Sequence, residues 1–174
     1  LAAAILALAQ PTFRGNLTAL LGGSTQVAVA IDASASMSAA DASGPAFDRA
    51  KKLVADTLTS MSGSTRVLAG TFAAGYNCSF REPVQDRQIV ASFVGAASVT
   101  DGVGNVPLAI QAAAETIQRG GGGGSIWLLT DLQASGWQTD SSGAWQQVCQ
   151  ALEQAGRPRL IITDLAPQIE SNLS

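Results

Sequence analysis

The sequence predicts an α/β fold: a Rossmann-like, doubly wound, mainly parallel sheet with one antiparallel edge strand and helices on both faces. Three observations carry this. Short apolar runs alternate with longer stretches of helical spacing, in the order strand, helix, hairpin, helices, strand, helix, strand. The runs VAVAI at 27–31 and SIWLLT at 125–130 read as strands buried on both faces. Hydrophobic residues make up 47 % of the 174 residues and charged residues 13 %, enough apolar material for a core in a chain of one-domain length.

Each element has its own signal. After the first strand at 27–31, Pro45 opens a helical pattern with Phe47, Ala50, Leu53, Val54, Leu58 and Met61 at three- and four-residue spacings. Proline suits a first helical turn because its missing N–H would be unpaired there. Residues 65–72, TRVLAGTF, form a second strand. Gly75 turns the chain, and 76–80 pairs back as a hairpin. A short helix follows at 86–94, then a longer one at 106–119 with Pro107 at its start. The glycine run 120–124 lacks the GK[ST] ending of a phosphate-binding loop and precedes a strand, so it reads as a surface loop. The buried strand 125–130 comes next, then a helix at 143–155 and a strand at 158–163. No internal repeat is found.

Residues 1–24 are expected to be the end of a hydrophobic membrane or signal segment plus a linker, 25–165 the folded domain, and 166–174 the start of a following linker or domain. Leu1 to Ala9 is entirely apolar, yet shorter than the ~20 residues that span a bilayer. It reads as the end of a longer apolar segment, or as a signal peptide cleaved after Ala7-Leu8-Ala9. Both place the remainder next to or across a membrane; a helix packed on the domain is the plain alternative. Pro11 ends the apolar stretch, and Gly22-Gly23-Ser24 reads as a linker.

Composition also excludes. A net charge of −3 and a pI near 4.7 give no sign of nucleic acid or of an anionic membrane surface as partner. There is no histidine, which removes Ser-His-Asp and Cys-His catalysis within this chain and the common zinc sites. A metal would be held mostly by oxygen, which selects magnesium, calcium or manganese. Cys78 and Cys149 could form one disulfide, but two cysteines make no framework, and they read as small buried hydrophobes.

Two carboxylates stand where an α/β sheet binds ligands. Asp32 and Asp131 each follow a buried strand, and ligands sit outside the carboxyl ends of strands where the strand order reverses. Ser34 and Ser36 leave the first strand at alternate positions, so they point the same way as Asp32. Packing does not require this polar group of residues. Hard oxygen donors with few charges suit a divalent cation that keeps waters. Asp41 and Asp101 read as solvated loop residues, and Trp137 as packed on the domain, beside a weaker reading as a contact aromatic.

Asp32-Ala-Ser34-Ala-Ser36, followed by Met37, resembles the Asp-x-Ser-x-Ser signature of von Willebrand factor type A (VWA) domains. Thr100, in SVTDGVGNVPLAI, matches that family's threonine on the loop before a central helix. Asp131, in IWLLTDLQ, matches its aspartate after the fourth strand. The order and spacing agree over residues 26–165. The ending LALAQP of the apolar segment and the stretch TDLQASGW resemble bacterial membrane proteins of the aerotolerance (Bat) type.

The resemblance implies a metal-ion-dependent adhesion site. Ser34, Ser36 and Thr100 would bind Mg²⁺, or Mn²⁺ or Ca²⁺, through hydroxyls, and Asp32 and Asp131 directly or through water. Ser98 is the fallback if Thr100 does not reach. A partner protein's Asp or Glu would fill an open position. The implied module is not an enzyme, is anchored through its N-terminal segment, and sits outside the cytoplasm. A structural domain with a vestigial site is the alternative. A magnesium-dependent phosphohydrolase is weaker: that pattern is Asp-x-Asp with a nearby lysine, whereas position 34 is serine and Lys51 and Lys52 lie on a predicted helix.

Overall fold

The computed structural model describes residues 10–11, 21 and 23–167. Its strands are β1 (Gln10–Pro11), β2 (Gln26–Asp32), the two-residue β3 (Ala40–Asp41) and β4 (Gly44–Pro45), β5 (Arg66–Phe72), β6 (Tyr76–Cys78), β7 (Ser125–Thr130) and β8 (Arg159–Asp164). The helices are α1 (Ala46–Ser60), α2 (Arg87–Ala96), α3 (Val106–Arg119), α4 (Ala134–Trp137) and α5 (Ser142–Gln154). A 3-10 turn, Ala35–Ser38, follows β2.

The main sheet has six strands in the order β1-β8-β7-β2-β5-β6. All neighbours are parallel except β5 and β6, which form the expected hairpin. The chain passes from β2 to β5 on one side, then returns to β7 on the other. The strand order therefore reverses at β2, between its carboxyl end and that of β7. Every residue of β2 is buried. Ala28 and Ala30 face one apolar cluster with Ala109, Ile110 and Ala113 of α3 and Trp145 of α5. Val29 and Ile31 face the other, with Ala50 and Val54 of α1 and Val90 of α2. Alanines on both sides of the β2–α3 contact let the central helix lie close to the sheet.

Helix ends follow local chemistry. Asp86 caps α2 by accepting from Gln88 and Ile89 N–H, and Asn105 caps α3 by accepting from Leu108 N–H. Pro45, expected inside the first turn of α1, stands just before it and pairs with Ala40 instead. Trp137 ends α4 and stacks on Trp145 at a centroid distance of 6.2 Å, while Trp145 Nε1 donates to the Trp137 carbonyl. That pair ties the chain after β7 to α5 and is worth about 0.5–1.5 kcal/mol beyond area burial. Cys78 and Cys149 are half-buried free thiols.

Parts of residues 1–24, expected outside the domain, belong to it. Gln10 and Pro11 pair in parallel with Ile161 and Ile162 of β8, and Leu21 is fully buried in the second cluster. A two-residue strand has no periodicity to read, and proline is tolerated there because β1 is an edge. The apolar stretch 1–9 and the tail after 167 lie outside the described residues.

Gly70 shows why one interior strand position must lack a side chain. A Cβ there would overlap the ring of Tyr76, which crosses the strand from β6. We expect Gly70→Ala to lower stability by about 1–3 kcal/mol in urea unfolding, as overpacking does. Tyr76 offers the converse. Its hydroxyl is buried with no hydrogen-bond partner among the described residues, and burial raises its pKa. Tyr76→Phe should therefore leave the unfolding midpoint unchanged or raise it; a clear fall would show that the hydroxyl has a partner.

Candidate functional site

The site begins where β2 runs out. Asp32 pairs with Phe72 as the last residue of the strand, and Ala33 N–H still donates to the Phe72 carbonyl at 2.7 Å. The chain then turns. Ser34 N–H donates to Asp32 Oδ1 at 2.9 Å, and the Oγ atoms of Ser34 and Ser36 lie 3.1 Å apart. From the neighbouring strand, Thr130 Oγ1 donates to Asp32 Oδ2 at 2.8 Å and accepts from Leu132 N–H at 3.3 Å. Each Asp32 oxygen thus accepts at least one hydrogen bond. Gly104 covers the carboxylate so closely that a Cβ would lie 3.2 Å from Oδ2.

Two backbone ties bring the third loop in. Ala35 N–H donates to the Gly102 carbonyl at 3.1 Å, and Thr100 N–H donates to the Ala33 carbonyl at 2.8 Å. Asp131, directly after β7, accepts weakly from Gln133 N–H at 3.3 Å. Leu132 between them has a left-handed φ of 58°, an uncommon conformation for a γ-branched residue.

Asp32, Ser34, Ala35, Ser36, Gly102, Gly104 and Gln133 border a cleft of about 150 Å³. Asp32, Ser34, Ser36, Asp101, Gln133 and Ser135 contribute its polar groups, and no basic side chain lines it among the described residues. Asp32 is 3 % and Asp131 4 % exposed. Burial raises the Asp32 pKa above its ordinary 3.8, the Ser34 and Thr130 hydrogen bonds pull it back, and the charge of Asp131 raises it further. Among the described residues no three His, Cys, Asp or Glu gather in a metal-holding group. A cation here would therefore need hydroxyl ligands as well as carboxylates. The donor set fits a hard divalent ion: the buried Asp32 carboxylate, no basic side chain lining the cleft among the described residues, and two serine hydroxyls in contact beside it.

Asp32, Ser34 and Ser36 lie together on the cleft, gathered by the 3-10 turn and not by the extended alternation expected of them. Asp131 lies at the adjoining strand end, near enough to act on the charge of Asp32, but outside the cleft lining. Thr100 and Ser98 are exposed and line a neighbouring cavity of about 770 Å³, bordered also by Ala73 and Phe93. The Thr100 hydroxyl donates to the Ala33 carbonyl at 3.1 Å. Asp101, read as a solvated loop residue, is exposed and borders the cleft. Thr130 and Gly104 were not legible as site residues. Thr130 stands beside Asp131 in sequence, but its partner is set by the register that pairs Ile31 with Leu129.

The fold and site define an α/β domain with an oxygen-rich cleft at the topological switch point of its sheet. Residues 27–133 match the family model of the von Willebrand factor type A domain, well over half of the chain, and the chain belongs to that family. Domains of this family are generally protein-interaction modules. Among solved structures, the chain is similar to the conserved hypothetical protein BatB from Bacteroides thetaiotaomicron, with 19 % identity and a TM-score of 0.59. That match covers 80 % of this chain and 65 % of BatB, so the chain spans under two thirds of that protein. It is also similar to an aerotolerance-related membrane protein from Bacteroides fragilis NCTC 9343, bearing multiple mutations to serine: 21 % identity, 86 % and 74 % coverage, TM-score 0.60. A von Willebrand factor type A structure from Catenulispora acidiphila matches at 13 % identity over 79 % of this chain and 32 % of that one, TM-score 0.60. At these identities the likeness is one of fold. No curated protein matches by sequence. Among the described residues, no helix is long and apolar enough to cross a membrane.

The state of Asp32 gives a test that needs no ligand. A raised folded pKa means that the folded protein holds this proton more tightly than the unfolded chain does. Its contribution is fully present below pH 3.8 and is lost as pH rises through the folded value. In chelator, Asp32→Asn should gain Tm relative to wild type between pH 4 and pH 7. A relative loss over that interval would show the carboxylate to be stabilised as an anion by the fold alone.

Proposed function

We propose that the chain is a divalent-cation-dependent protein-binding module whose partner supplies an Asp or Glu side chain. The observation that carries this is the buried Asp32 carboxylate beside the Ser34 and Ser36 hydroxyls, in a cleft without a basic lining residue. Asp32, Ser34, Ser36 and Asp131 would hold Mg²⁺, or Mn²⁺ or Ca²⁺. Thr100 joins them only if its loop shifts, because its hydroxyl is turned to Ala33. When bound, the ion supplies a positive centre with few neutralising charges, which attracts a carboxylate. The protein's own part is to orient Asp32 through Thr130 and Ser34 and to keep the cleft open.

We further propose that the domain is non-catalytic, belongs to a bacterial protein, is tethered through residues preceding it and lies outside the cytoplasm. The apolar residues 1–9 and the likeness to an aerotolerance-related membrane protein support the tether. Lys51 supports the absence of phosphoryl chemistry: its Nζ donates to the Gly95 and Ala97 carbonyls at 2.8 and 2.9 Å and does not line the cleft. One observation favours a second reading, a structural domain with a vestigial site. Both oxygens of Asp32 already accept hydrogen bonds from within the protein.

Calorimetric titration of Mg²⁺ and Mn²⁺ into the chain, alone and with added glutamate, separates the readings. We expect binding by the wild type, about tenfold weaker binding by Ser34→Ala, and none by Asp32→Ala at unchanged circular dichroism. Absence of binding even with glutamate would leave the vestigial reading standing. Asp32-dependent hydrolysis of a phosphate ester would replace both with an enzyme.

A further inference from the structure

The end of the sheet opposite the cleft has its own chemistry. The carboxyl ends of β2, β7 and β8 close on Asp32, Asp131 and Asp164, whereas β5 and β8 open on Arg66 and Arg159 at their amino ends. Exposed Arg81, Arg119 and Arg157 stand on loops or a helix end at this same side, with Glu82, Asp86 and Glu153 as the nearby acids. The whole chain is acidic, at −3. The basic end is therefore a sorting of charge along the strands, which a summed charge hides.

A cleft of about 390 Å³ lies within this end, between the starts of β2, β7 and β8. Arg157, Arg159, Ser24, Thr25, Ser125 and Gly124 line it. Ser125 is fully buried, and its Oγ is 2.6 Å from that of Ser24. The Arg159 backbone N–H donates to the Gly124 carbonyl at 2.9 Å, which holds the start of β8 against the glycine turn. Arg157 pairs with Glu153 at 3.6 Å, but both side chains are largely exposed, so the contact is weak and yields to a better anion. Guanidinium pairs with hydroxyls beside them suit phosphate oxygens.

The position of this cleft indicates where its anion comes from. β2 follows directly on Gly23–Thr25 at the cleft wall, and β1 runs parallel to β8, so the chain enters both strands from the arginine side. The residues before β1 are the apolar stretch 1–9. A membrane reached through that stretch is met first by this end of the domain.

We propose that this end docks on anionic phospholipid, with Arg157 and Arg159 taking a headgroup phosphate. The inference rests on the tether proposed above and adds the surface and the lipid charge. Docking in this way turns the Asp32 cleft away from the bilayer by the length of the sheet, about 20 Å, towards soluble partners.

The test is co-sedimentation of the full chain, in chelator, with vesicles of phosphatidylcholine alone or mixed with phosphatidylglycerol. We expect at least roughly tenfold stronger partition onto the anionic vesicles at low salt, falling as salt rises. Arg157→Gln/Arg159→Gln should lose most of that preference. Lys51→Gln/Lys52→Gln, an equal change of net charge on α1, should keep it, with folding of both checked by circular dichroism. Equal partition of the wild type onto both vesicles overturns the proposal, as does a preference that survives the arginine substitutions. Binding of inorganic phosphate without vesicle preference also overturns it, and makes the cleft a soluble-anion site. Loss of binding to neutral vesicles alone bears on the tether, because only the anionic excess reports on the arginines.

Discussion

Burial of β2 along its whole length is the constraint from which the rest follows. The strand has β5 on one edge, β7 on the other, and a helical layer over each face, so none of its seven residues reaches solvent sideways. A polar side chain on it can meet a ligand only past its last residue. Asp32 occupies that position, and the reversal of strand order between β2 and β7 leaves a cleft there, bordered by Ser36, Gly104 and Gly136. The same geometry sets the electrostatics. The carboxylate stays at the edge of a low-dielectric core, where isolation raises its pKa and makes any approaching cation more strongly attracted.

Holding the carboxylate takes residues from three separate parts of the chain. Ser34 N–H acts locally, in a turn that any Asp-x-Ser start can make. Thr130 acts across the sheet, and its hydroxyl links Asp32 to the backbone of Leu132. Gly104 acts by lacking a side chain, since a methyl group would press on the carboxylate. The loop carrying Thr100, Asp101 and Gly104 is bound to the Ser34 turn by backbone hydrogen bonds at Ala33 and Ala35. The two loops are thus tied to each other by their backbones, and the carboxylate is held by one backbone and one side-chain donor.

The two ends of the sheet differ in a way that follows from parallel topology. Parallel strands put all their carboxyl ends on one side, so strand-end aspartates accumulate there while the helix C-termini and their arginines collect at the other. Arg119, in the last turn of α3, and Arg157, just after α5, both follow this pattern. The result is a domain with an acidic cleft at one end and a basic one at the other.

Much of the fold was legible in the sequence because its strands and helices are strongly patterned. VAVAI and SIWLLT read as interior strands, and Pro107 marks the start of the helix that buries Val106, Ala109, Ile110, Ala113 and Ile117. Asp32, Ser34 and Ser36 were legible because they are close in sequence, although a 3-10 turn and not an extended chain gathers them. The sequence by itself therefore determined which segments are core, which end of each strand is polar, and which three oxygen-bearing residues are neighbours. Tertiary structure alone decided that Gln10–Pro11 joins the sheet edge, that Thr130 holds Asp32, and that the Thr100 hydroxyl turns to Ala33 while Asp101 borders the cleft. The reason is physical: those outcomes depend on strand register and on loop contacts between residues up to about a hundred positions apart, and neither leaves a periodic trace along the chain.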